Sequence, residues 1–340
     1  MPRPLVSVIV VNWNGKAYLG DCLTSLCNQT FLDFELIVVD NGSTDGSVEI
    51  VRSHFPDCLI IRNTSNYGFA RGNNQGIEKA KGKYIALLNN DAEAESHWLE
   101  ELVKVAEEDH RIGMLASKIY LQGGHKIIDN VGHLIYRDGL NRGRGRLEAD
   151  HGQFEQMEEV LFPSGCAALY RREMLEEIGL FDEDFFAYGD DTDLGLKGRL
   201  AGWKCLYVPT AIVFHRYSLS SGSYSPFKAF YVERNRVWIA IKYFPLSLLL
   251  KSPFYTLLRF LFQGYGALTG KGAAGKFTKE YSSSHLLKIL LKSYSSAIQG
   301  LPMMWRKRKE MKKLTRVSKE EIRSWFTRFG ISGREIALKE

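Results

Sequence analysis

Three carboxylates stand within four residues in Tyr188-Gly189-Asp190-Asp191-Thr192-Asp193. Carboxylates this close are costly unless a cation, base or acceptor hydroxyl uses them, and they raise one another's pKa, which suits a general base. The structural alternative is a helix N-terminus, where the macrodipole favours acidic residues. Both hold if Asp190 or Asp191 caps a helix over residues 193–200 while another carboxylate does chemistry. A further acid, Asp91, closes Asn89-Asn90-Asp91 directly after an apolar run. A carboxylate there can hold a divalent cation that bridges a diphosphate, with Asn89 lending an amide oxygen or a water-mediated contact. Taken alone, an Asp in such a turn is usually a turn residue. Asp40 follows an apolar run and precedes Gly42 and Ser43. It can accept from pyrimidine N3–H or guanine N1–H, or it can cap the next helix. His215 ends the run 207–214. A lone His is more often structural than a ligand. Its weight depends on Asp91 holding a cation, because imidazole with carboxylate suits Mn²⁺ or Mg²⁺ only in part.

These residues need elements to position them. Residues 6–11 (VSVIVV), 36–39, 59–61 and 84–88 read as short strands, the first two as strands buried on both faces. Apolar spacing predicts helices over 16–27, 47–55, 69–81 and 96–108. Strands alternating with helices of about ten residues imply a parallel sheet. The loops Asn12-Trp13-Asn14-Gly15, Asp40-Asn41-Gly42-Ser43 and Asn89-Asn90-Asp91 then follow strands. In an open parallel sheet the carboxyl ends of strands line the ligand crevice, so the three loops should meet there.

Of 340 residues, 45% are hydrophobic and 25% charged, which excludes wholesale disorder, collagen and a disulfide-stapled miniprotein. The five cysteines form no CxxC and no zinc-finger spacing, and no signal peptide precedes them, so a reducing cytoplasm is the expected setting. The net charge of +6 hides a split: residues 1–240 carry 25 Lys and Arg against 33 Asp and Glu, whereas residues 241–340 carry 20 against 6. The two parts are expected to do different jobs.

The string Val6-Ser7-Val8-Ile9-Val10-Val11-Asn12-Trp13-Asn14-Gly15 resembles the opening of the family 2 glycosyltransferases. Val38-Val39-Asp40-Asn41-Gly42-Ser43-Thr44-Asp45-Gly46-Ser47 is similar to their second motif, and Asn66-Tyr67-Gly68-Phe69-Ala70-Arg71-Gly72-Asn73-Asn74-Gln75-Gly76 to the next. Leu87-Leu88-Asn89-Asn90-Asp91-Ala92-Glu93 resembles their Asp-x-Asp segment. Phe181-Asp182-Glu183 leading to Asp190-Asp191-Thr192-Asp193-Leu194 resembles their acidic motif. The match runs in order over roughly residues 4–220 and looks most like the rhamnosyltransferase-like branch.

The resemblance implies an α/β GT-A fold, a Rossmann-like mixed sheet flanked by helices. Residues 1–235 would be the catalytic domain, with a nucleotide-sugar half (1–120) and an acceptor half (121–235). Asp40 would read the base, with Asn12, Asn14, Asn41, Ser43, Gly68, Phe69, Asn73 and Asn89 around the donor. Asp91 and His215 would hold Mg²⁺ or Mn²⁺. Asp191 would deprotonate the acceptor, with Asp190 as the alternative, because the family usually has Glu-Asp where this chain has Asp-Asp. Asn89 departs from the family's Asp and removes one charge from the cation site. The reaction implied is inverting transfer from a UDP-, dTDP- or GDP-sugar to a saccharide or lipid-linked saccharide acceptor, on a polysaccharide precursor. A non-catalytic sugar-nucleotide binder and a nucleotidyltransferase are the alternatives. The latter needs a basic phosphate loop, for which residues 139–146 are the only candidate.

The resemblance fades after about residue 235. Residues 236–340 read as a basic, apolar, helical and amphipathic tail. Phe254-Tyr255, Leu257-Leu258 and Phe260-Leu261-Phe262 with nearby lysines can lie in a membrane interface, and the eight basic residues of 306–319 favour anionic headgroups. No apolar run reaches the length of a transmembrane helix. The expected placement is cytoplasmic and peripheral on the inner face of the cell membrane. The alternative for the tail is packing on the catalytic domain or on a second copy, as a homodimer. Nucleic acid is not expected, since the acidic part would repel phosphate and no nucleic-acid motif is present.

Overall fold

The computed structural model describes residues 3–123, 126–216 and 225–339, so Met1 and Pro2 of the amino-terminal reading lie outside it. β1 (Val6–Asn12) is buried almost throughout, as its unbroken apolar run requires of a strand covered on both faces. α1 (Leu19–Cys27) follows. It starts later than the spacing over 16–27 predicts, because the Gly15 carbonyl first accepts from the N–H groups of Tyr18 and Leu19 in a turn. β2 (Phe34–Asp40), α2 (Ser47–His54), β3 (Leu59–Arg62), α3 (Gly68–Lys79) and β4 (Tyr84–Leu88) complete the alternating part. β2 and β4 flank β1 in parallel, β3 lies outside β2, and the register sets Asn12 directly opposite Asp40.

The sheet then changes character. β5 (Ala92–Ala94), α4 (Trp98–Glu108), β6 (Ile112–Leu121) and β7 (Ile128–Asn130) come next. β8 (His133–Ile135) and β9 (Asn141–Gly143) pair with each other. They are followed by β10 (Glu158–Glu159), β11 (Ala167–Arg171), α5 (Arg172–Ile178), α6 (Asp190–Leu200) and β12 (Lys204–His215). β11 is inserted antiparallel between β4 and β6, while β12 is parallel to β6. Ten strands thus form one mixed sheet, ordered β10-β12-β6-β11-β4-β1-β2-β3, with β5 on β12 and β7 on β6. The parallel pairing implied by the first 90 residues holds for β1 to β4, and the antiparallel β11 makes the whole sheet mixed, as the resemblance implied. β6 and β11 pair with partners far along the chain, β11 with β4 and β6, and β6 with β12. The apolar faces of β1, β4, α1 and α4 share one core around Trp98, whose indole N–H donates to Ser117 at 2.8 Å.

Contacts divide the chain into two compact units. One is Met1–Gly132, Gly143–Arg199 and Trp203–Ser220; the other is His133–Arg142, Leu200–Gly202 and Ser221–Glu340. The second unit is helical: α7 (Pro226–Tyr243), α8 (Leu246–Leu249), α9 (Ser252–Thr269), α10 (Gly272–Glu280), α11 (Ser283–Gln299), α12 (Leu301–Leu314), α13 (Lys319–Arg328) and α14 (Gly333–Leu338). No helix among the described residues is long and apolar enough to cross a membrane.

The interior of this unit holds a charged cluster. Arg259 donates to Asp138 at 2.8 Å and to both oxygens of Glu233 at 2.7 and 3.0 Å, and Arg236 adds a bond to Glu233 at 2.7 Å. Burial opposes charge on Glu233, but the two guanidinium groups win and hold its carboxyl down to about 2. The basic cluster of 306–319 is corrected in one place. Arg308 is buried on α12 and caps the end of α7, donating to the carbonyls of Ile241 at 2.6 Å and Phe244 at 2.7 Å. That guanidinium is therefore not available to headgroups.

Candidate functional site

The three strand-end loops meet, as expected, and Asn12 is the side chain that joins them. Its amide N–H₂ faces Asp40 Oδ1 at 3.1 Å, Ser43 Oγ at 3.2 Å and Ser47 Oγ at 2.9 Å, and its carbonyl accepts from Asn90 at 2.8 Å. Gly15 permits this crossing. A Cβ there would lie 2.3 Å from Asn12 Oδ1 and 2.5 Å from Asn90 Nδ2. Asp40 has no exposed surface, and its second oxygen accepts the Ser43 N–H at 3.0 Å. Any base-edge bond must therefore use the lone pairs left over by Asn12 and Ser43. Asn14 takes a positive φ of 50°, its backbone N–H donates to Ser43 Oγ, and its side-chain Oδ1 accepts from Thr44 N–H.

Asn41 continues the net to the third motif, donating to the Gly68 carbonyl at 3.0 Å and accepting from Asn63 at 2.9 Å. Gly68 sits at φ +82°, and a Cβ there would lie 2.5 Å from the Phe186 carbonyl, which instead accepts the Phe69 N–H at 2.8 Å. Asn73, grouped with the donor residues by resemblance, bonds within its own helix to the Phe69 carbonyl at 2.9 Å. The neighbouring Asn74 reaches across instead, bonding Phe181 in both directions at 3.0 Å.

Asp91 and His215 come together because β5 pairs with the end of β12, setting His215 opposite Ala92. Asp91 Oδ1 lies 3.3 Å from His215 Nε2, and both residues are largely buried. On the other side of the ring, Asp129 Oδ2 lies 2.8 Å from Nδ1, and Arg146 holds the other Asp129 oxygen at 2.5 Å. Burial opposes charge on the imidazole; Cys166 and the carboxylates of Asp129 and Asp91 favour it, and together they keep its pKa well above the ordinary histidine value. Asp129 was not found from sequence. Its only signal is a carboxylate ending the short apolar run Ile127-Ile128. Asn89 is half-buried beside this pair, with its backbone N–H bonded to the Cys166 carbonyl at 2.8 Å. Among the described residues no group of three or more His, Cys, Asp and Glu is placed to hold a metal ion unaided.

The acidic motif begins α6 at Asp190, not at residue 193 as the spacing predicts, so all three carboxylates fall in the first turn. The approach to it is strained: Phe186 and Tyr188 both have φ of 64°, uncommon for bulky side chains, and Gly189 follows at 82°. Asp190 and Asp191 differ in environment. Asp190 is buried, one oxygen accepts the Asp191 N–H, and the other has no hydrogen-bond partner. Burial first, then the Asp191 charge, pushes its pKa up to about 8. Asp191 is half-buried, with one oxygen accepting the Gly165 N–H at 3.2 Å and the other accepting from Thr192 N–H at 2.7 Å. Phe69 and Asp191 approach each other over Gly165, where a Cβ would lie 3.0 Å from the ring and 3.5 Å from Asp191 Cβ. The Arg residues of the basic stretch 139–146 are engaged within the protein: Arg142 donates to the Lys339 carbonyl, Arg144 pairs with Glu158 at 2.7 Å and Arg146 with Asp129.

A model of the family described as glycosyl transferase family 2 matches residues 7–179, about half of the chain. An uncharacterized glycosyltransferase of Rickettsia prowazekii is 28% identical over 57% of this chain and 58% of its own length. The chain thus spans little more than half of that relative. The N-acetylglucosaminyl-diphospho-decaprenol L-rhamnosyltransferase of Mycobacterium tuberculosis is 27% identical over 64% of this chain and 78% of that protein. Among solved structures, a mannosyltransferase from Pyrobaculum calidifontis in complex with GDP-Man and Mn²⁺ matches with a TM-score of 0.55, at 17% identity, over 92% of this chain and 86% of the other. GalNAc-T7 with UDP, GalNAc and Mn²⁺ matches with a TM-score of 0.60, at 19% identity, over 86% and 58%. At that identity the two structures speak for the fold alone, the GT-A arrangement of a mixed sheet between helices. The family match covers the strand-end net of Asn12, Asp40 and Asn90 and stops before Asp190, and on its strength the chain is a member of glycosyl transferase family 2.

Proposed function

We propose that this chain transfers a sugar, with inversion, from a nucleoside diphosphate to an acceptor hydroxyl, and that Asp191 is the base. The observation that carries the assignment is the contrast within the acidic motif. Asp190 is enclosed, and burial and the neighbouring Asp191 charge push its pKa up, whereas Asp191 is half-buried and has its carboxylate oriented by the Gly165 and Thr192 N–H groups. A base must be ionised at the working pH and within reach of the proton it takes. Asp191 would accept the acceptor O–H proton as the oxygen forms its bond to C1. The C1–O bond to the diphosphate breaks on the opposite face, and the nucleoside diphosphate leaves with the electron pair. No protein nucleophile is needed, as in single-displacement glycoside chemistry.

Asp91 and His215 fit a hard divalent cation. One carboxylate oxygen and one imidazole nitrogen face each other at 3.3 Å, and Asp129 orients the ring from behind. Two protein donors are few, so the remaining positions would belong to diphosphate oxygens and water, the way Mg²⁺ and Mn²⁺ are usually held. When bound, the ion supplies neutralisation of charge on the departing diphosphate. The Mn²⁺ in both matching structures supports this reading. Asp40, Asn12, Asn14, Asn41 and Ser43 would shape the nucleotide end, with UDP, dTDP and GDP as candidate carriers. The rhamnosyltransferase relative favours a lipid-linked saccharide as acceptor, which suits polysaccharide assembly at the inner membrane face.

The test is a panel of UDP-, dTDP- and GDP-sugars with and without Mn²⁺, run on the full chain and on Asp191→Asn. Transfer should fall by about 10²–10⁴ in the variant with donor affinity retained. Near-wild-type transfer by Asp191→Asn would remove the assignment.

A further inference from the structure

α9 is built inside out. Its only charged residue, Arg259, has no exposed surface and is spent on Glu233 and Asp138 in the interior of its own unit. The other side of the helix is apolar and open: Phe254 is 65% exposed, Leu257 59%, Leu261 64% and Leu268 89%, with Tyr265 between them and Leu250, 74% exposed, just before. These six recur every three or four residues, so they form one stripe along the helix. From Phe254 to Leu268 the stripe is about 21 Å long. A solvated helix has the reverse arrangement, and monomeric proteins seldom leave such a ridge uncovered. α11 repeats the feature on a smaller scale, with Leu287, Leu291 and Ile298 exposed and Lys288 and Lys292 beside them.

The charges around the ridge say what covers it. Exposed Lys251 and Lys271 stand at the two ends of α9. Residues 246–309 hold eleven Lys and Arg against Glu280 alone. An apolar stripe with cationic ends, in a stretch this poor in carboxylates, matches an anionic lipid surface, which attracts Lys and Arg near it. A second copy of the chain matches poorly, because a twofold interface would set one basic rim against the other.

We propose that the exposed face of α9 lies in the headgroup boundary of an anionic membrane, with Lys251 and Lys271 on the lipid phosphates. The helix lies on the bilayer rather than crossing it. This extends the apolar segment expected over 254–262 to a stripe over residues 250–268, while one guanidinium of the basic cluster of 306–319, Arg308, faces inward.

The test uses the full chain and no sugar donor, so that its outcome is separate from that of the transfer reaction. Flotation is measured with vesicles of phosphatidylcholine alone and of phosphatidylcholine with phosphatidylglycerol. Wild type should float with the anionic vesicles, and Leu257→Glu/Leu261→Glu should lose about tenfold or more of that binding. Lys251→Glu/Lys271→Glu should lose the preference for anionic lipid. Both pairs are at exposed positions, and unchanged donor hydrolysis and circular dichroism would report an intact fold. Equal flotation of wild type and Leu257→Glu/Leu261→Glu would overturn the proposal. So would a vesicle-free dimer, seen by light scattering, that the same pair dissolves while wild type fails to float.

Discussion

Asp129→Asn probes the cation site without touching either proposed ligand. The change keeps the shape of the side chain and one acceptor oxygen, but it removes the charge that faces His215 Nδ1 at 2.8 Å and Arg146 at 2.5 Å. The ring then loses the group that orients it from the side opposite Asp91. Removing such a carboxylate behind a metal-binding histidine typically weakens affinity by about 10–100-fold, or about 1.4–2.8 kcal/mol. The assay is transfer rate against Mn²⁺ concentration, paired with calorimetric titration of Mn²⁺ in the presence of the nucleoside diphosphate. The activity midpoint should move to higher Mn²⁺ by that factor while the plateau at saturating Mn²⁺ stays close to wild type. A purely structural role would lower the plateau and the melting temperature with no shift in midpoint. An unchanged Mn²⁺ midpoint in both measurements would refute the reasoning.

Arg259→Leu leaves Glu233 and Asp138 buried without their main partner, and chemical denaturation should show a loss of about 3–5 kcal/mol. Glu233 also makes stability depend on acid: its folded pKa of about 2 lies below the ordinary 4.5, so its contribution is present above 4.5 and is lost as pH falls towards 2. Urea midpoints across that window should fall more steeply for wild type than for Glu233→Gln. Asp190 has the opposite sign, since its folded pKa of about 8 lies above the ordinary 3.8 and stability is lost as pH rises from 3.8 through 8. Asp190→Asn should therefore gain more in melting temperature at alkaline pH than at mildly acid pH, and an equal gain at both would contradict the buried-proton account. Gly68→Ala places a Cβ 2.5 Å from the Phe186 carbonyl at a positive φ, and should cost at least about 1–3 kcal/mol in thermal unfolding.

The strand-end net around Asn12 was readable because each of its loops directly follows an apolar run. Asn12, Asp40 and Asn89-Asn90-Asp91 each end an apolar run, and parallel pairing alone brings such ends together. The Asp91–His215 pair was legible only through family resemblance, since the β5–β12 pairing that joins them links positions more than a hundred residues apart. Asp129 was out of reach for the same reason: it meets His215 through β7 on β6 and β6 on β12. Spacing could not separate Asp190 from Asp191, because the difference is one of enclosure, set by the strained turn at Phe186 and Tyr188. In the helical unit, Arg259 and Arg308 look like surface charges when read along the chain. Packing turns both inward.

Asn12 holds four partners from two other segments with one side chain: Asp40, Ser43 and Ser47 from one and Asn90 from the other. Substitutions at positions in mutual contact do not add. A change at 12 therefore alters what is tolerated at 40, 43, 47 and 90, although these positions lie up to 78 residues away along the chain. Drift in this net must pass through paired or triple replacements, and single steps there will be poorly tolerated.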